Sequence, residues 1–184
     1  DDPSPSPTVT AEPAKPPVVA WADTDCPVPV TSKDPMWGER AAPVTLVQFS
    51  DFECPFCAKA RTTVSGLQDH YGPAVLRVVW KNNPLPFHKN ARPAAEAALA
   101  VHERGGNAAF WKFHDAAFAG SASLGDDQYR VWATQAGVDA SKLSAPDLLA
   151  RASLKVTLDM DLAKEVGAKG TPTFFVNGAR LTGA

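Results

Sequence analysis

The sequence predicts an α/β domain carrying an all-helical insertion and preceded by a proline-rich tail. Three observations carry that expectation. A strand–helix–strand unit begins near residue 43, a strand and a tight turn lie near residue 178, and about 80 residues of helix-periodic sequence separate them.

With 184 residues, 45% of them hydrophobic, the chain can bury one proper core but is thin for two. Lys and Arg total 18 against 20 Asp and Glu, a net charge of −2. The basic residues form only scatters such as Lys81, His88, Lys89 and Arg92, so no nucleic-acid footprint is expected. No stretch approaches the ~20 consecutive apolar residues of a membrane span. The opening Asp1-Asp2-Pro3 has no basic-then-apolar leader and reads as the start of a processed or trimmed product.

Residues 1–36 read as a tail. Eight prolines fall within the first 29 residues, and proline fixes φ while removing a backbone donor, which favours an extended stalk. The domain is expected over 37–184, with its first strand at Val44-Thr45-Leu46-Val47-Gln48-Phe49, a short β-branched apolar run suited to a central strand. From Pro55 the period becomes helical: Cys57, Ala60, Val64, Leu67 and Tyr71 recur at three and four residues, and Gly72-Pro73 ends the segment. A second strand follows over Ala74–Trp80, completing a βαβ layout.

The helical insertion is expected over about 84–168. Asn90 can cap a helix through Val101 that closes at Gly105-Gly106, and further pieces are expected at Ala108–Phe118, Asp126–Ala136, Ala145–Arg151 and Leu154–Val166. The period then returns to strand at Thr173–Val176, and Asn177-Gly178 is a strong two-residue hairpin turn.

The sharpest chemical feature is Cys54-Pro55-Phe56-Cys57. A CxxC pair serves either as a redox couple or as half of a zinc site. Structural zinc wants four ligands, yet only Cys26 remains, in the tail, and the histidines are not at paired spacing. A redox couple wants its first thiol at the exposed first turn of a helix directly after a strand, which is where Cys54 falls, so its sulfur is expected to be reachable by a partner's disulfide. There the unpaired N–H groups and the helix dipole favour a thiolate. Helical i, i+3 spacing sets the two Cα atoms about 5–6 Å apart, within reach of an S–S bond. Pro55 loses no hydrogen bond at that position, and Phe56 brings no charge. A purely structural disulfide is the plain alternative, although so small a loop gains little chain-entropy stabilisation. Cys26 reads as a free thiol in the tail or as a link to a second chain.

The run Phe49-Ser50-Asp51-Phe52-Glu53-Cys54-Pro55-Phe56-Cys57, followed by Thr171-Pro172-Thr173-Phe174-Phe175-Val176-Asn177-Gly178, resembles the DsbA-like branch of the thioredoxin superfamily. The intervening segment, with Pro86-Phe87-His88 and Phe110-Trp111-Lys112-Phe113-His114, is similar to that family's helical insertion. The resemblance spans roughly residues 28–184. It implies a thioredoxin-like fold, no cofactor and no metal. It implies that Cys54 exchanges disulfides, that Cys57 resolves, and that Thr171 and a cis Pro172 position a substrate backbone. It also implies a further strand and a closing helix after the Asn177-Gly178 turn; the sequence stops at Ala184, so these are expected to be missing.

Two departures bear on mechanism. Relatives often carry a proton-shuttling Glu six residues before the first cysteine, where this chain has Gln48, which cannot titrate; the burden then falls on water or on Glu53. Asp51 and Glu53 read as loop-solvating residues whose charges oppose thiolate formation at Cys54. His88, His114 and the aromatic stripe Phe110, Trp111, Phe113 and Phe118 read as structural.

The expected function is thiol–disulfide exchange with protein or peptide thiols and disulfides, by a monomer that a membrane redox partner regenerates. The expected compartment is periplasmic or otherwise extracytoplasmic, with the stalk as tether. An oxidase direction is favoured because no dimerisation segment is present, while Thr171 resembles the isomerase and reductase relatives. A non-catalytic, chaperone-like binding module is the competing class.

Overall fold

The computed structural model describes residues 28–182. Its strands are β1 (Met36–Trp37), β2 (Val44–Ser50), β3 (Leu76–Asn82), β4 (Thr173–Val176) and β5 (Ala179–Thr182). The helices are α1 (Pro55–Tyr71), α2 (Ala91–Ala119), α3 (Asp126–Gln135) and α4 (Pro146–Glu165). The sheet order is β1-β3-β2-β4-β5; β2 and β3 are parallel and the other pairs antiparallel. A thioredoxin-like α/β frame thus holds a helical insertion between β3 and β4.

Strand alternation explains the layering. Leu46 and Val78 point to the side where Val64 of α1 packs. Val47, Phe49 and Val79 point to the other, against Phe175, Ala163 of α4, and Val28 and Val30. Burial on both faces is why β2 reads as a continuous apolar run. A third cluster fills the insertion, where Phe52 stacks on Trp80 at 4.9 Å, Phe52 meets Phe113, Trp80 meets Phe110, and both meet Phe118.

Several elements differ from expectation. The packed chain starts before residue 37: Val28 is wholly buried, and β1 pairs with β3 through Met36 and Val79. Single-sequence periodicity cannot see a two-residue strand. The remainder of the expected tail, with Cys26, lies outside the described residues. The two helices expected either side of Gly105-Gly106 are one kinked element, α2, broken at Gly106 (φ 70°, ψ −166°). Asn90 precedes α2 without a side-chain cap; its N–H donates instead to Glu53 Oε2 at 2.7 Å. The pieces expected at Ala145–Arg151 and Leu154–Val166 are the single helix α4. The second strand is shifted to Leu76–Asn82.

At the other end, the strand expected to be missing after the turn is present as β5, paired with β4. No helix follows it among the described residues. The intervening turn has Asn177 at φ 46° and Gly178 at φ 85°, the paired positive angles of a primed hairpin. Asn177 also ties the turn to the sheet: its Oδ1 accepts the Thr45 N–H at 2.8 Å, and its Nδ2 donates to the Pro43 carbonyl at 3.2 Å.

The insertion and N-terminal segment meet in a buried charge cluster that periodicity and motif reading do not reveal. Lys81 Nζ lies 2.8 Å from Asp34 Oδ1, and Lys155 Nζ lies 2.6 Å from the same oxygen. Asp159 pairs with Lys155 and accepts both the backbone and side-chain N–H of Asn82, at 3.1 and 2.9 Å. Burial works against the Asp34 carboxylate, but Lys155 and Lys81 outweigh it and hold its pKa below the ordinary value.

Candidate active site

The C-terminal ends of β2 and β3, the start of α1 and the loop before β4 converge on the cysteines. Cys54 is the N-cap of α1, extended at φ −77° and ψ 120°, with its N–H donating to the Asp51 carbonyl at 3.2 Å. Pro55 begins the helix and is exposed, as is Phe56 at 59%. Cys57 lies on the inward face of α1, and both cysteines are free thiols. Cys54 differs from expectation in being 3% exposed rather than open to a partner. Its Sγ is turned toward the chain, donating to the Thr171 carbonyl at 3.4 Å.

The two sulfurs occupy different environments. Burial pushes the Cys57 thiol up to about 12, a rise that the Ser50 hydroxyl and the Asp51 backbone oppose and the neighbouring Cys54 reinforces. An apolar surround disfavours the charged form of any thiol. The Thr171–Pro172 peptide, whose Thr171 carbonyl meets Cys54, is cis, and Pro172 is buried. Asn83 braces this loop: its N–H donates to the Ser50 carbonyl at 2.9 Å and its Nδ2 to the Ala168 carbonyl at 3.1 Å.

Asp51 is not a solvated loop residue but is 2% exposed. Its Oδ1 accepts the Glu53 N–H at 2.7 Å; its Oδ2 accepts the Leu85 N–H at 2.8 Å and meets His88 Nδ1 at 2.8 Å. The contact with His88, 37 residues away, is invisible to local pattern reading. Glu53, half-buried, holds the Asn90 N–H. Together these bonds clamp the loop of residues 84–90 against the cysteine loop, leaving Phe87 71% exposed.

Gln48 is buried in the middle of β2, between Trp80 and Phe174. It lines a cavity of about 160 Å³ with Trp37, Arg61, Trp111, His114 and Asp115. His114 is packed among Phe52, Trp80 and Phe118, in keeping with its structural reading. Burial lowers its pKa despite the Asp115 contact at 3.0 Å. Among the described residues no group of three or more His, Cys, Asp or Glu could hold a metal ion.

Residues 30–184 match the thioredoxin family. A thioredoxin-like oxidoreductase from Silicibacter pomeroyi is 30% identical, with a TM-score of 0.69 over 83% of this chain and 85% of that one. The thiol–disulfide exchange protein alpha-DsbA2 from Wolbachia pipientis superposes with a TM-score of 0.73 at 20% identity, covering 82% and 80%. A periplasmic thioredoxin-like protein from Salmonella enterica gives a TM-score of 0.69 at 22% identity, covering 82% and 81%. The Na(+)/H(+) antiporter NhaA 3 of Salinispora tropica is 38% identical over 161 residues, which are 86% of this chain and 24% of the antiporter. The chain thus spans about a quarter of the curated relatives it matches. No helix of the described residues is long and apolar enough to cross a membrane. By its family match over residues 30–184, and in keeping with the free cysteine pair at the start of α1, the chain belongs to the thioredoxin family.

Proposed function

We propose that this protein donates disulfides to extracytoplasmic protein substrates through the Cys54–Cys57 pair. The carrying observation is the asymmetry of the sulfurs: Cys54 caps a helix, while burial pushes Cys57 up to about 12. In the oxidised enzyme, a substrate thiolate attacks Cys54 Sγ, forming a mixed disulfide and releasing Cys57. Its raised pKa draws a proton onto the Cys57 sulfur, which keeps it from attacking back. A second substrate thiolate then attacks the substrate sulfur of the mixed disulfide and releases Cys54 as thiolate. The substrate loses two electrons and the pair gains them. Reoxidation requires a disulfide-bearing membrane partner. In the reverse direction Cys54 attacks and Cys57 resolves.

Thr171 and Pro172 line the approach, and the Thr171 carbonyl already faces Cys54. Exposed Phe56 and Phe87 beside the pair suit an unfolded chain with apolar side chains around its cysteine. With Gln48 unable to titrate, the proton taken by Cys57 comes from water, Glu53 being engaged with Asn90. The protein acts as a monomer, held outside the cytoplasm by its proline-rich stalk; the periplasmic relative supports that compartment.

A reductase or isomerase reading is favoured by one observation, the burial of the Asp51 side chain three residues before Cys54, since a buried negative charge works against a second one nearby. Equilibration in graded glutathione buffers separates the two. A potential near about −120 mV supports the disulfide donor, and one near about −270 mV makes the protein a reductant. A chaperone-like module instead requires Cys54→Ser to protect a client from aggregation at full strength while exchange is lost.

A further inference from the structure

We propose that His88 is a positioning residue for the redox pair, acting through Asp51 to set how oxidising Cys54 and Cys57 are. The inference rests on the reading of Cys54 as the exchanging thiol.

Asp51 touches the site twice. Its carbonyl accepts the Cys54 N–H at 3.2 Å, and its backbone also hydrogen-bonds Cys57. Its carboxylate, side chain wholly buried, accepts the Glu53 N–H with one oxygen and meets Leu85 and His88 of the loop of residues 84–90 with the other. A buried carboxylate three residues before Cys54 works against a second negative charge on that sulfur. How strongly it does so depends on the donors that draw its charge elsewhere. Two of them, the N–H groups of Glu53 and Leu85, belong to the backbone. The third is the His88 ring, whose Nδ1 lies 2.8 Å from Oδ2 with the side chain 16% exposed.

Hydrogen bonds to a carboxylate are the strong ones in a dry site. A ring Nδ1–H donated to Asp51 pulls negative charge toward the loop and away from Cys54. Without it, the thiolate is less stable, the reduced pair is less stable, and the protein is a weaker oxidant. His88 also stands at the rim, between buried Asp51 and exposed Phe87, with the Phe87 and His88 rings 4.6 Å apart. A substrate chain pressing on Phe87 therefore presses on the residue that governs the carboxylate.

The test compares His88→Ala and His88→Asn with the unaltered protein, reading the equilibrium constant with glutathione and the thiolate titration of Cys54. His88→Ala is expected to lower the constant about fivefold, roughly 20 mV at about 30 mV per tenfold, and to raise the Cys54 titration midpoint. His88→Asn, whose amide keeps a donor near the Nδ1 position, is expected to recover at least half of that loss. A His88→Ala constant within twofold of the unaltered value overturns the inference, as does an Asn variant no better than Ala. Should His88→Ala not fold, His88→Leu takes its place: a fivefold lower constant of which His88→Asn recovers at least half supports the inference, and a Leu constant within twofold, or an Asn variant no better than Leu, overturns it. Cys54→Ser separates this inference from the reading beneath it: exchange that survives Cys54→Ser sinks that reading, whatever the His88 variants do.

Discussion

Lys81 Nζ sits 2.8 Å from Asp34 Oδ1, a contact between an N-terminal segment and the sheet in which both side chains are almost wholly removed from water. Paired buried charges add little over well-packed apolar groups, but breaking such a pair strands its survivor in a dry interior. Lys81→Met leaves two carboxylates, Asp34 and Asp159, sharing the single ammonium of Lys155. The expected loss is about 3 kcal/mol, read as a lowered midpoint in urea unfolding. A change below about 1 kcal/mol would show that water reaches the cluster.

The same cluster sets how stability responds to pH. The Asp34 carboxyl lies below its ordinary value because Lys155 and Lys81 outweigh its burial. Its contribution is therefore complete above the ordinary carboxylate range of about 4 and is lost as acid carries the pH down through the folded value. Lys155 lies above its ordinary value because Asp159 and Asp34 outweigh its burial. Its contribution is complete below about pH 10 and is lost as the pH climbs through the raised value. Unfolding midpoints should thus fall on both flanks, and Lys155→Met should flatten the alkaline one. An alkaline limb as steep in the variant as in the parent would assign it to other groups.

Cys57 should be chemically silent in the folded reduced protein. With its thiol pushed up to about 12, its thiolate at neutral pH is on the order of a thousandfold scarcer than that of an ordinary cysteine. In Cys54→Ser protein, iodoacetamide is expected to modify Cys57 only after denaturation. Mass spectra showing rapid labelling of the peptide that carries Cys57, rather than of Cys26, in the folded variant would contradict its burial.

The hairpin after β4 should be sensitive to its first residue. Asn177→Ala removes the two side-chain bonds to Thr45 and Pro43 and leaves an alanine at φ 46°. A cost of about 2 kcal/mol is expected, with Asn177→Gly recovering the backbone part only. An alanine variant with an unchanged unfolding midpoint would mean that the turn contributes no stability.

Gly38 follows β1 at φ 90°, where an added Cβ would lie 2.2 Å from the Leu76 carbonyl oxygen. Gly38→Ala should therefore displace the N-terminal segment from β3 and cost at least about 2 kcal/mol. Amide exchange in residues 28–37 reads this directly: faster exchange is expected there, and unchanged protection would show that the strand edge yields without cost.

Features that depend on neighbours along the chain were legible in the order of the residues. The buried run of β2, the helix that Pro55 opens, the CxxC at its first turn and the Asn177-Gly178 hairpin all carry their physics within a few residues, and the family resemblance placed Thr171-Pro172 opposite the cysteines. The rest depended on contacts between distant segments. Residues 28–37 join the core because β3 offers them an edge, and neither Val28 nor the two-residue β1 has a period to read. Ala145–Arg151 and Leu154–Val166 merge into α4 because packing of Leu148, Ala152 and Val156 outweighs the weak local breaks between them. Asp51 could not be recognised as buried, because the three donors that make its burial tolerable include two from residues 34 and 37 positions away. Propensity and periodicity are short-range forces written into the sequence, whereas desolvation and charge pairing come into being only when distant segments meet.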